Sequence, residues 1–64
     1  MSKNLQNYYQ AWKYRKEGKT LKEVGQLMGF SIERARIIIN YTSFVLRQKK
    51  KDYEELKKIM KENL

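Results

Sequence analysis

Leu5, Tyr8, Tyr9 and Trp12 recur at the i, i+3, i+4, i+7 spacing of one helical face. Gly18 then supplies a stop, because glycine tolerates the left-handed conformation that closes helices. The pattern predicts a first helix over about residues 4–16. At this spacing its aromatics read as core rather than as a stacking platform for bases. Thr20 and Glu23 have the spacing of a capping box. In such a box the hydroxyl accepts an orphan amide and the glutamate reaches back to the threonine N–H. Leu21, Val24, Leu27 and Met28 follow as an apolar face, and Gly29 ends this second helix. Gly25, inside it, costs roughly 1 kcal/mol against alanine, which another helix crossing close to the backbone, as at the corner of a helix-turn-helix, would explain.

Ser31 is a good N-cap for a third helix beginning at Ile32. At about 100° per residue, Glu33, Arg36, Asn40, Ser43 and Arg47 fall on one narrow polar stripe. Most of the remaining circumference is apolar, from Ala35 through Ile37, Ile38, Ile39, Tyr41, Phe44, Val45 and Leu46. A surface helix needs an apolar stripe only a little over 100° wide. The third helix is therefore expected to pack on two sides, one against the first two helices and the other against a further element or another protein. Asp52 and Glu55 form a second capping signal, ahead of a stripe made by Tyr53, Leu56, Ile59, Met60 and Leu64. The pattern leaves open whether the chain breaks near residue 50 or runs on. It also leaves open whether the last stripe covers its own chain or a copy of itself.

These elements predict an all-α fold, a three to four helix bundle containing a helix-turn-helix over about 20–46. A single domain is expected over 1–64, with an N-terminal helix within 1–18 and a C-terminal amphipathic helix over 52–64. A 64-residue chain buries a small share of its surface, and the absence of cysteine and histidine removes disulfides and the usual zinc site as supplements. Help from a second chain, as a homodimer, is the expectation. The Asn- and Gln-bearing start, Met1 to Asn7, is expected to be disordered rather than an arm reaching along DNA.

The formal net charge of +8 favours a polyanionic partner. It is unevenly spread: residues 1–51 hold 12 Lys/Arg against 3 acids, and residues 52–64 hold 3 against 4. The basic field thus coincides with the predicted helix-turn-helix. No stretch approaches the roughly 20 apolar residues of a membrane span, and no apolar leader opens the chain. A soluble, cytoplasmic protein is expected. The acids Glu54, Glu55 and Glu62 sit at helical surface spacing among lysines, there is no phosphate-cradling glycine loop, and so short a chain has little room for a pocket. Neither enzyme chemistry nor a metal, cofactor or small-molecule substrate is expected.

Thr20-Leu-x-Glu-Val-Gly25, followed by Ser31-x-Glu-Arg-x-Arg-x-Ile38, resembles the helix-turn-helix of region 4 in the sigma-70 family of transcription initiation factors. The match spans about Thr20 to Ile38, with weaker similarity to Leu46. That family recognises a promoter element in the major groove and touches RNA polymerase through the same domain. With the rest of a sigma factor missing, the resemblance implies a stand-alone regulator of the kind small phage and plasmid genomes carry. It aligns Glu33, Arg34 and Arg36 with the family positions that meet DNA. Ile32 and Ile37 depart from it, standing where arginine and glutamine are usual. An isoleucine can touch a thymine methyl but cannot read a base edge by hydrogen bonds.

Two functional expectations follow. In the first, double-stranded DNA is the partner. Arg36 and Asn40 lie near base edges, Lys19, Lys22 and Arg34 near phosphate, and Ser31 opens a helix N-terminus suited to phosphate. Arg47 and Lys49 to Lys51 continue along the flank, and Glu33 completes the DNA-facing set. In the second, the same fold docks on a transcription protein such as a host repressor, a sigma factor or RNA polymerase. Its interface is then Ile32, Ile37, Tyr41 and Phe44, with Leu56, Ile59 and Met60 from the C-terminal stripe. An apolar surface of that size usually marks an interface.

Overall fold

The computed structural model describes residues 4–62. They form four helices and, among the described residues, no strand: α1 (Leu5–Lys16), α2 (Leu21–Met28), α3 (Ile32–Gln48) and α4 (Tyr53–Glu62). Residues 1–3 of the start expected to be disordered, and Leu64 of the last stripe, lie outside this range. Within it, Asn4 is the N-cap of α1, its side-chain oxygen accepting the Asn7 N–H at 3.2 Å.

The α2 boundaries follow the local chemistry. The Thr20 hydroxyl accepts the Glu23 N–H at 3.1 Å, and the Glu23 carboxylate accepts the Thr20 N–H at 2.8 Å. Gly29 closes the helix at φ +75°, in the left-handed region that glycine enters without penalty. The chain then turns at once, and the Ser31 hydroxyl accepts the Arg34 N–H at 3.1 Å to start α3. The tightness of this corner explains Gly25. A Cβ there would stand 2.7 Å from the Phe30 carbonyl oxygen, and the Phe30 N–H donates to the Gly25 carbonyl at 2.8 Å. The close approach is made at the corner, by the Phe30 and Ser31 backbone that leads into α3.

α3 ends at Lys49, which takes the left-handed conformation at φ 54°. The chain therefore breaks between α3 and α4, the point the sequence pattern left open. Two apolar clusters lie on either half of α3. Ala11, Val24, Ala35, Ile38 and Ile39 join it to α1 and α2. Leu5, Tyr9, Val45, Leu56 and Ile59 join it to α1 and α4. Among the described residues α2 and α4 make no close approach to each other. α1 and α3 are the common spine. Each fully buried aliphatic side chain contributes about 1.5–3 kcal/mol. Thr42, buried in α3, satisfies its hydroxyl by donating to the Ile38 carbonyl at 2.9 Å.

This arrangement corrects part of the expected partner surface. α4 packs on its own chain and covers α3 around Val45, with Tyr41 and Leu46 partly buried there, while Ile37 and Phe44 stay exposed. Leu56 is fully buried and Ile59 nearly so, while Met60 is half-buried against the same cluster. Tyr41 is half-buried as well, its ring edge-on to Tyr8 at 5.7 Å between centroids. Leu56 and Ile59 therefore serve the core, and Tyr41 and Met60 give part of their surface to it. Leu27 departs the other way: it is 55% exposed, because it lies about 60° around α2 from Val24 and about 100° from Met28, on the side away from Leu21. No helix among the described residues is long and apolar enough to cross a membrane.

Candidate nucleic-acid interface

The outward face of α3 has a definite order around its circumference. Asn40 and Glu33 lie at its centre, both exposed. Arg36, Ser43 and Arg47 form one edge, with Arg36 and Arg47 exposed and Ser43 half-buried. Ile37 and Phe44 form the other, 58% and 42% exposed. The five-residue polar stripe expected from the sequence is therefore assembled on solvent, and the buried face of the same helix fixes its direction. Arg36 donates to Glu33 one turn earlier, in an ion pair whose side chains are both at least half exposed.

The remaining expected contacts are dispersed. Arg34 lies near the opposite edge of α3 from Arg36, its guanidinium 5.0 Å above the Phe30 ring. Lys19 sits in the α1–α2 connection with its ammonium 5.8 Å from the Tyr14 ring. Lys22 is exposed in the first turn of α2, and the Ser31 hydroxyl is engaged in capping. Lys49 to Lys51 occupy the exposed connection to α4. Ile32, 51% exposed, begins α3 beside the corner.

Three residues of α1 that the helical pattern does not assign to this surface adjoin it, Trp12 having been expected in the core. Trp12, Arg15 and Lys16 of α1 line a groove of about 330 Å³ whose other wall is Ile39, Asn40 and Ser43 of α3. It continues into a second hollow of about 340 Å³, where Leu46 and Arg47 join Trp12, Lys16 and Ser43. Lys16 is held 5.6 Å over the Trp12 ring, and Arg15 donates to the Lys19 carbonyl at 3.1 Å. Among the described residues no carboxylate forms an ion pair with Arg15, Lys16 or Arg47. The i, i+3, i+4 spacing from Trp12 to Arg15 and Lys16 carried a signal that both cations share the tryptophan's side of the helix. Reading that tryptophan as pure core concealed it.

Chemically, the face offers a carboxamide, a hydroxyl, the Glu33 carboxylate and several cations around a shallow trough. These groups suit hydrogen bonding and charge neutralisation. Among the described residues no group of three His, Cys, Asp or Glu side chains is placed to hold a metal ion. No family model, curated protein or solved structure matches this chain.

Proposed function

We propose that the protein is a small transcriptional regulator that binds double-stranded DNA. In this reading α2 and α3 act as a helix-turn-helix within a four-helix bundle, and α3 enters the major groove. The observation that carries it is the placement of Asn40 at the centre of the exposed α3 face, with Arg36 and Arg47 along one edge. Asparagine pairs bidentately with adenine, and arginine with guanine or with phosphate. Glu33 is suited to accept from a cytosine amino group. Ile37 and Phe44 offer contact to thymine methyls but no hydrogen bond. The net charge of +8 supports a salt-sensitive, phosphate-dominated affinity. The resemblance to sigma-70 region 4 supports the same use of the corner.

An anisotropy titration of a labelled duplex at several salt concentrations tests the reading. Affinity should fall steeply with salt, the logarithmic slope approaching about −0.9 for each phosphate neutralised. No binding at low salt, or binding indifferent to salt, would overturn it.

A second reading rests on Ile37 and Phe44, two turns apart on the apolar edge of α3 and both substantially exposed. There the fold docks on a host repressor, a transcription factor or RNA polymerase, or on a second copy of itself. A dimer formed in this way would require half-sites about one helical turn apart on DNA.

A further inference from the structure

We infer that the groove between α1 and α3 is a clamp for the DNA backbone, gripping the phosphates of the strand that flanks α3. The inference rests on the DNA-binding reading and extends the footprint beyond α3, to α1. Its walls carry Arg15 and Lys16 on one side and Arg47 on the other. Asn40 and Ser43 add neutral hydrogen-bonding groups between them. The two hollows share Trp12, Lys16 and Ser43, so they form one trough beside the polar edge of α3. From Asn40 to Arg47 it follows that helix for about 10 Å, at 1.5 Å per residue.

The trough is preorganised for an anion. Trp12 is half-buried, with Tyr9 behind it at 6.1 Å between ring centroids. The indole in turn supports the Lys16 ammonium. The Lys19 carbonyl tethers Arg15. Ordering long cationic side chains before contact reduces the entropy that a phosphate contact must offset. No acid on the walls competes for them. A site for one small anion would converge its donors on a point inside an enclosed cavity. Here the donors are spread along an open channel, as a polyanionic strand requires.

The test uses the full chain with a short duplex and two double variants. In Arg15→Gln/Lys16→Gln, binding should weaken by a similar factor on unrelated sequences. The slope of log affinity against log salt should shrink in magnitude by about 1.8, or roughly 0.9 for each lost phosphate contact. Lys57→Gln/Lys58→Gln removes the same charge from the exposed surface of α4 and should leave the slope at the wild-type value. Circular dichroism checks that both variants keep the wild-type helical content. An unchanged slope in the groove variant, with wild-type protein binding normally, would overturn the clamp and leave DNA binding standing. Equal losses in both variants would also overturn it, since charge alone would then suffice. Failure of the wild-type protein to bind any duplex would remove both readings together.

Discussion

The Tyr41 hydroxyl donates to the Asp52 carboxylate, tying the middle of α3 to the residue that precedes α4. The bond spans the connection that carries Lys49 to Lys51 and so fixes how α4 begins to fold back over the core. A hydrogen bond to a charged group contributes about 1.5–3 kcal/mol when well buried, and this one is part-buried. Tyr41→Phe keeps the edge-on contact with Tyr8 and removes only the hydroxyl. Urea unfolding should show a loss of about 1–2 kcal/mol. DNA affinity should change less than twofold, because Tyr41 faces the core rather than the polar edge of α3.

Gly25→Ala sets helix propensity against sterics. Alanine gains roughly 1 kcal/mol in a helix interior, yet the new methyl would sit 2.7 Å from the Phe30 carbonyl oxygen, a backbone atom that moves only with the corner. Sterics should win, with a net loss of about 1–3 kcal/mol by the usual cost of overpacking. Thermal unfolding provides the check. A stabilised variant would mean that α3 can swing away from α2 at little cost, and the fixed direction of α3 would then lose its support.

The capping box predicts a modest acid sensitivity. The Thr20 backbone N–H, then the Thr20 hydroxyl side chain, hold the Glu23 carboxyl below the ordinary glutamate range, with Lys19 adding a smaller attraction. The folded protein therefore takes up this proton less readily than the unfolded chain. The corresponding stability is complete above the unfolded pKa and is lost as pH falls through the folded one. Glu23→Gln keeps an acceptor for the Thr20 N–H but does not titrate. Its melting temperature should fall less than the wild-type value on acidification below the ordinary glutamate range. Parallel profiles would contradict this role.

Much of α2 and the start of α3 was legible because their termini are fixed by neighbours in sequence. Thr20 with Glu23, the left-handed Gly29 and the Ser31 cap act within three or four residues of themselves. The stripe of Leu56 and Ile59 announced burial but not its partner, since periodicity reports that a face is apolar and not what covers it. Only the fold shows that α1 and α3 do so. The Tyr41–Asp52 bond joins residues eleven apart across a helix end, with no local pattern to mark it. On the candidate interface, Arg36, Asn40 and Arg47 could be read from a helical wheel. Trp12, Arg15 and Lys16 could not be joined to them, because that juxtaposition depends on how α1 crosses α3.

Backbone-amide NMR shift mapping of the protein, titrated with a short duplex, tests the central claim most directly. The account predicts shifts concentrated on α3 from Glu33 to Arg47, with further shifts at Arg15 and Lys16. Shifts confined to the outer face of α4, around Glu54, Lys57, Lys58 and Lys61, would contradict it, as would a spectrum in which Arg36 and Asn40 stay unmoved.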